Sequence, residues 1–204
     1  MGLGLIMLSD PSLARSIERH ARYIVRAGSS DLGRRSLEGS RPAMSLLLHA
    51  ALNMIGASGY EQLIDAGISK ARYMAGCVSF RDEFELLGEP QTNIVNYRYV
   101  PRSWKERLAA DRVTAADNQH LNEINERLQR AQRSEGCTFV SRTTLESTKY
   151  GPGQQVTALR AVLANPLTTE SDIEAVLDDQ SRIARDLLKT DSWNDAGPCL
   201  DLRQ

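Results

Sequence analysis

The chain has 204 residues, of which 41% are hydrophobic and 25% are charged, and its formal net charge is -1. These values are ordinary for a globular protein, and the near-zero charge excludes a broad electrostatic attraction to nucleic acid or to a membrane surface. No apolar run reaches the roughly 20 residues of a membrane span, and the apolar start "MGLGLIML" lacks the basic region of a secretory signal. We therefore expect a soluble, cytoplasmic protein.

The first third of the chain predicts one strand and several helices. Residues 3–8, "LGLIML", have the continuous apolar pattern of a strand that is buried on both faces. The segments that follow are expected to be a helix over 12–24, an irregular loop over 26–42, and two helices over 44–55 and 60–79 that Gly56 separates. A strand of this kind needs neighbours on each side, and none are found in this region. We expect the missing strands to come from a longer protein or from a partner chain.

The second part of the chain alternates strands and helices. Strands are expected over 84–90, 92–100, 137–145 and 156–166, and helices over 117–134 and 169–188. Leu121, Ile124 and Leu128 form a narrow apolar stripe on the first of these helices. The order strand-strand-helix-strand-strand-helix predicts a small α+β domain.

One arginine interrupts an apolar strand. In "VTALRAVLANP", Val156, Ala158, Arg160 and Val162 fall on one face because strand side chains alternate. A buried guanidinium must meet an anion, since an uncompensated buried charge costs several kcal/mol. The anion could be a structural carboxylate, or the arginine could line a pocket and hold a substrate carboxylate with its planar fork. The strand pattern alone favours the structural ion pair.

Other polar motifs carry weaker signals. "EGSRP", Glu38 to Pro42, precedes a helix, so its small residues could present backbone N–H groups to an anion or could simply form a helix cap. The histidines and cysteines have neither metal-ligand nor disulfide spacing: His20, His49, His120, Cys77, Cys137 and Cys199. No metal site is expected.

Taken in order, these stretches resemble a known family. "DLGRRSLEGSRPAMSLLLHAAL", "FELLGEPQTNIVNYRYVP" and "VTALRAVLANPLTT" are similar to the C-terminal part of group II pyridoxal-phosphate-dependent amino-acid decarboxylases. The resemblance is greatest to the bacterial aspartate 1-decarboxylase branch, with glutamate decarboxylase as a relative, and it covers the chain up to about residue 190. The "EGSRP"-helix and "R-x-V-L-x-N-P" segments carry it.

The resemblance implies an α/β fold of the fold type I, transferase-like class and an obligate homodimer. Residues 1–80 would be the remainder of the large cofactor domain, 85–190 the small C-terminal α+β domain, and 191–204 a polar tail. By the same resemblance, Arg160 would hold a substrate carboxylate. Gly39 and Ser40 would approach the phosphate of pyridoxal 5'-phosphate bound to the neighbouring subunit.

Two departures from the family pattern concern the chemistry. The family's Schiff-base lysine follows a histidine and lies shortly before a G-x-G strand, which here is Gly2-Leu3-Gly4. No His-Lys pair occurs in this chain, so the lysine is expected upstream of Met1. Many relatives carry a proton-donating tyrosine in a long loop, whereas the corresponding segment, about 27–36, is short and contains none.

The resemblance therefore implies the C-terminal fragment of a decarboxylase that acts on aspartate or glutamate and is inactive alone. The alternative is a non-enzymatic dimerisation or regulatory module derived from that family. An in-frame His-Lys pair encoded upstream of Met1 would favour the enzyme fragment, and a stop codon there would favour the alternative.

Overall fold

The computed structural model describes residues 6–19, 32–35, 42–110, 113–147, 150–151 and 153–190. The chain divides into two compact units, Met1–Tyr60 and Glu61–Gln204. No helix in the described ranges has the length and apolar character that crossing a bilayer requires. Gly39 and Ser40, the two residues predicted to approach the cofactor phosphate, lie outside the described ranges.

The first unit contains short helical turns and the beginning of a long helix. The expected strand over 3–8 begins outside the described residues, and residues 6–8 are not in a strand. Of the helix expected over 12–24, residues 20–24 lie outside the described ranges. The described part contains a 3-10 helix, Pro11–Ile17, whose first turn is capped by a hydrogen bond from the Ser12 N–H to Asp10 Oδ1. A second 3-10 helix covers Leu32–Arg35.

Helix α1, Met44–Phe80, contains the break that the sequence predicted. Gly56 has φ 72° and ψ 172°, so the helical conformation is interrupted there. Positive φ is accessible to glycine because it has no Cβ. In the second unit α1 buries Ala71, Met74 and Val78, whose spacings of three and four place them on one helical face.

The second unit is built on one antiparallel sheet. Its strands are β1 (Phe84–Leu86), β2 (Ile94–Tyr99), β3 (Ser141–Ser147) and β4 (Gln154–Val162), in the spatial order β1-β2-β4-β3. Its remaining helices are α2 (Arg102–Ala109), α3 (Ala115–Glu135) and α4 (Glu170–Thr190). All four strands and two of these helices agree in position with the sequence prediction, whereas α2 was not predicted.

Helix α3 supplies much of the core. Leu121, Ile124 and Leu128 are buried, which confirms the predicted apolar stripe. Each buried leucine or isoleucine contributes roughly 1.5–3 kcal/mol relative to an exposed one. The stripe belongs to one apolar cluster with Leu159 of β4 and Leu177 of α4. The sheet and the last two long helices therefore share one core.

Sequence-encoded caps fix where α3 begins and ends. Thr114 Oγ1 accepts from the Asp117 N–H, and Asp117 Oδ2 accepts in return from the Thr114 N–H at 2.8 Å, which is a reciprocal capping box. Gly136, with φ 75°, ends the helix in the left-handed conformation. These signals define both ends of α3.

Candidate functional site

Arg160 lies in the centre of the sheet. It is opposite Asn96 of β2 on one side and Ser141 of β3 on the other. Directly opposite residues of antiparallel strands share a face, so these three side chains belong to one face of the sheet. The Ser141 hydroxyl also donates to the Arg160 carbonyl at 2.9 Å, which fixes the backbone beneath the guanidinium.

The apolar face predicted for β4 extends only as far as Arg160. Val156 and Ala158 are fully buried, Arg160 is half-buried, and Val162 is 49% exposed. Arg160 therefore stands where the strand leaves the interior. A guanidinium at this position keeps part of its hydration and does not bear the full cost of burial.

No acidic side chain in the described ranges lies within 4.0 Å of the Arg160 guanidinium. The structural ion pair that the strand pattern alone favoured thus has no partner in this part of the protein. The planar fork of Arg160 remains available to an anion from outside the described residues.

A cavity of about 390 Å³ adjoins this part of β4. Arg160, Ser141, Leu163 and Ile173 contribute to its walls, together with Asp172 at the start of α4. Asp172 is already engaged, because its Oδ2 accepts from the Thr169 N–H and hydroxyl at 2.8 and 2.7 Å. These two hydrogen bonds lower the pKa of Asp172. They make the carboxylate part of the α4 cap.

A second arginine on the same sheet face is completely buried. Arg98 of β2 donates from Nε to Glu85 at 2.8 Å and from Nη1 to Asn118 at 3.1 Å. Its guanidinium carbon lies 4.3 Å from the centre of the Tyr150 ring. The Tyr150 hydroxyl donates to the same Glu85 carboxylate at 2.6 Å, and burial raises the pKa of Tyr150, so the hydroxyl keeps its proton.

The strand register relates the two arginines. Glu85 is opposite Arg98, Arg98 is two residues from Asn96, and Asn96 is opposite Arg160. Because side chains alternate with a period of two, all of them lie on one face. Arg98 was not predicted as a notable residue, although "NYRYV" places an arginine in an apolar strand just as "ALRAV" does.

Side chains of α3 bind the backbones of β2 and β4 beyond the last paired residues of the two strands. The pairing of β2 with β4 ends at Tyr97 and Leu159. Beyond that point the backbone groups of the two strands hydrogen-bond to three asparagines of α3: Asn118, Asn122 and Asn125. Asn125 accepts from the Tyr99 N–H and donates to its carbonyl, at 2.7 and 2.8 Å. On β4, Asn118 and Asn122 donate to the Gln155 carbonyl, and Asn122 accepts from the Thr157 N–H. The asparagines replace strand–strand hydrogen bonds.

The lysines of the described ranges all donate to oxygen acceptors. Lys70 contacts the carbonyls of Asn165 and Pro166, Lys105 contacts Asp82, and Lys189 contacts Asp186. The remaining lysine, Lys149, is outside those ranges. The three described lysines lie on helices and not on the strands beside Arg160.

The two histidines of the described ranges, His49 and His120, bind neighbouring side chains and belong to no metal-ligand cluster there. His120 stacks on Trp104 with ring centroids 5.2 Å apart, and burial lowers the pKa of His120. His49 contacts Asn53 on the same helix. Over the described ranges, no group of three or more potential metal ligands is present. His20 lies outside these ranges.

Comparison with known proteins relates the chain to decarboxylases. No family model matches it. It is 44% identical over 186 residues to aspartate 1-decarboxylase of Aliivibrio fischeri, a match that covers 90% of the chain and 34% of that protein. It is 27% identical over 158 residues to acidic amino acid decarboxylase GADL1 of Xenopus tropicalis, covering 77% of the chain and 29% of that protein.

Solved structures show the same fold. Mouse CSAD superposes with a TM-score of 0.66 at 21% identity, over 86% of this chain and 35% of that one. Oryza sativa TDC with PLP and tryptamine gives a TM-score of 0.57 at 19% identity, over 77% and 30%. The chain spans about a third of the length of the curated relatives that it matches. It thus has part of a fold type I architecture and is homologous to the group II decarboxylases, whose cofactor is pyridoxal phosphate.

Proposed function

We propose that this chain is the C-terminal part of a pyridoxal-phosphate-dependent decarboxylase that acts on aspartate or glutamate. The observation that carries the proposal is Arg160, a half-buried guanidinium with no carboxylate partner in the described ranges. The names of the two curated relatives, an aspartate decarboxylase and an acidic amino acid decarboxylase, support a substrate of this class.

Arg160 binds and orients the substrate in this proposal. Its planar fork matches the geometry of a carboxylate and holds it by two parallel hydrogen bonds. Fixing one end of the substrate limits the orientations in which the reacting end can approach the cofactor. The partial burial of Arg160 strengthens the interaction, because screening by water is weaker than at a fully exposed site.

The cofactor requires residues beyond those that the structure describes. When bound, pyridoxal phosphate supplies the electron sink for loss of CO₂. Gly39 and Ser40 are proposed to hold its phosphate across the subunit interface. The described residues fit a substrate-binding role better than a cofactor-anchoring one, since Lys70, Lys105 and Lys189 all donate to oxygen acceptors elsewhere. We therefore propose that the chain is inactive without a separate lysine.

We further propose that the protein acts as a cytoplasmic homodimer. In the first unit the apolar residues Leu46, Leu47 and Met54 are 64%, 62% and 86% exposed, respectively. Exposed apolar surface of this kind marks an interface more often than a free surface. Sedimentation velocity should therefore show dimers or larger species, and Leu47→Asp with Met54→Asp should shift the chain toward monomer. A monomeric unsubstituted chain would contradict the dimer.

The activity is tested by measuring CO₂ release from aspartate and from glutamate. The chain alone should release none above the rate of free pyridoxal phosphate. A longer protein that is translated in frame from an upstream start and includes a His-Lys pair is hereafter called the extended enzyme. It should release CO₂ from aspartate or from glutamate. Arg160→Met should abolish most of that activity, whereas the control Arg142→Met should not, because Arg142 lies on the neighbouring strand and makes only a 3.6 Å ion pair with Glu126.

The second candidate is a non-enzymatic dimerisation or regulatory module derived from the family. The absence of a His-Lys pair in the chain supports it. Reading the genomic DNA upstream of Met1 separates the two proposals. A stop codon directly upstream favours the module, and an in-frame His-Lys codon pair favours the enzyme.

A further inference from the structure

A second cavity, of about 380 Å³, is lined by three arginines that come from different parts of the second unit. Arg81 directly follows α1, Arg102 is the first residue of α2, and Arg185 lies on α4. The packing of these elements therefore brings together three guanidinium groups that are far apart along the chain.

This arginine cavity is separate from the surroundings of Arg160. Tyr99 of β2 contributes to its wall. Because side chains alternate along a strand, Tyr99 lies on the face of the sheet opposite to Arg98, which shares its face with Arg160. A ligand in the arginine cavity would not compete with a substrate held by Arg160.

Two carboxylates at the cavity neutralise the arginines only in part. Asp178 lies 2.6 Å from Arg81, but its side chain is 70% exposed, so water weakens this ion pair. Glu83 lies 3.7 Å from Arg102, which is beyond hydrogen-bond distance, and accepts from the Ser181 hydroxyl at 3.1 Å. Three positive and two negative side chains leave the cavity with an excess of positive charge.

Arg185 has no acidic partner among the residues that the structure describes. Its Nε donates to the Ser181 carbonyl one turn earlier on α4, at 3.0 Å, which orients the guanidinium. No carboxylate of those residues lies within 4.0 Å of it. The N–H groups on both Nη atoms of Arg185 are therefore available to an anion.

We propose that the arginine cavity binds a phosphate monoester. A phosphate group carries roughly two negative charges and presents three acceptor oxygens in different directions, which suits guanidiniums that come from three elements. Arginine also binds phosphate oxygens by two parallel hydrogen bonds. The volume falls within the range of small-molecule sites, about 300–1,000 Å³, and exceeds that of a phosphate ion, so the ligand carries an organic group as well.

The proposal is tested by titrating the isotope-labelled chain of 204 residues with glycerol 3-phosphate at constant ionic strength and following amide chemical shifts. The shifts should saturate. Arg185→Gln should weaken binding at least about tenfold, the lower end of what hydrogen bonds to a charged group contribute. The matched control is Arg182→Gln, which removes the same charge from the same helix. It should bind normally, because Arg182 does not line the cavity and pairs with Glu135 and Asp179.

Three results would overturn the site. The first is a titration that does not saturate. The second is equal weakening by Arg185→Gln and Arg182→Gln, which would show a general attraction of anions to a cationic surface. The third is loss of binding in Arg160→Met, which would place the ligand at the strand arginine.

Two further ligands test the chemical class. Inorganic phosphate should bind more weakly than glycerol 3-phosphate, because it fills less of the cavity. Succinate, which has two carboxylates and no phosphate, should bind more weakly than either. If inorganic phosphate binds as tightly as the ester, the assignment to an ester is wrong, and if succinate does, the assignment to phosphate is wrong.

A second variant keeps the test open if Arg185→Gln does not fold. The Arg102 side chain is 76% exposed, so its replacement should leave the fold intact. Arg102→Gln should also weaken binding of glycerol 3-phosphate. Unchanged binding in this variant would contradict a site that uses guanidiniums from all three elements.

Discussion

Two arginines on adjacent central strands of one sheet face have opposite surroundings. Arg98 is fully buried and has Glu85, Asn118 and the Tyr150 ring as partners. Arg160 is half-buried and has no acidic partner in the described ranges. The Arg98 guanidinium is paired by groups of the protein itself, whereas the Arg160 guanidinium is available to a ligand. The residue type is the same, and the surroundings decide its role.

The Arg98 cluster shows what it takes to bury a guanidinium in this sheet. A carboxylate, an amide and an aromatic face surround it, and even so Nη2 of Arg98 is buried without a hydrogen bond. Breaking such a pair costs much more than forming it gains, because the remaining charge stays buried. We infer that Arg98 is structural.

The largest effect is expected at Arg98. Arg98→Met should lower the free energy of unfolding by about 3–5 kcal/mol, because Glu85 loses its buried counter-charge. Arg160→Met should lower it by less than about 0.5 kcal/mol, as is usual for residues away from packed networks. Urea unfolding of the two variants and of Arg142→Met measures the difference. Equal losses at Arg98 and Arg160 would remove the distinction between them.

A smaller effect is expected at Tyr150. Tyr150→Phe keeps the ring over Arg98 but removes the hydroxyl that donates to Glu85 at 2.6 Å. The loss of one hydrogen bond to a charged group should cost about 1.5–3 kcal/mol. Tyr150→Leu, which also removes the ring, should cost more. If Tyr150→Phe were neutral in urea unfolding, the hydroxyl would not be needed to hold the carboxylate beside Arg98.

The smallest effect concerns acid stability at the start of α3, the helix that brings Asn118 to Arg98. Burial by itself raises the pKa of Asp117, but hydrogen bonds from Thr114 and the Arg107 guanidinium outweigh it and hold the pKa below its ordinary value. A lowered folded-state pKa stabilises the fold above the ordinary value of 3.8, and that stability is lost as the pH falls through the folded value.

Asp117→Asn should therefore cost about 1 kcal/mol at pH 7, the usual value of a helix cap. The difference from the unsubstituted chain should shrink below about pH 4, where the aspartate is increasingly protonated and its ordinary pKa is 3.8. Urea unfolding at pH 7, 4 and 2.5 measures this trend. A difference that grows with acidity would contradict the assigned direction of the pKa.

The regular elements could be predicted because their patterns are local. The stripe on α3 and the break at Gly56 follow from side-chain spacing and from the conformational freedom of glycine. Helix α2 was missed because its apolar signal is only Trp104 and Leu108, one turn apart in an eight-residue helix. Over Pro11–Ile17 a 3-10 helix is observed where an α-helix was predicted, because side-chain spacing over so few residues does not distinguish the two helix types.

The distinction between the arginines could not be predicted from the sequence. Both interrupt an apolar strand, and the partners of Arg98 come from positions 13, 20 and 52 residues away, namely Glu85, Asn118 and Tyr150. Only the strand register and the position of α3 bring them together. Likewise, the local sequence of α3 does not show that its asparagines bind strand backbone, because the strands lie far from them along the chain.

The most direct test of the account is to measure melting temperature and kcat/KM on the same Arg160→Lys protein, prepared in the extended enzyme. Lysine keeps the charge but loses the planar fork, so a bidentate contact becomes a single one. If Arg160 binds the substrate carboxylate, the melting temperature should be unchanged and kcat/KM should fall about tenfold to hundredfold, which corresponds to roughly 1.5–3 kcal/mol for a hydrogen bond to a charged group. A large fall in melting temperature with intact activity per folded molecule would contradict it.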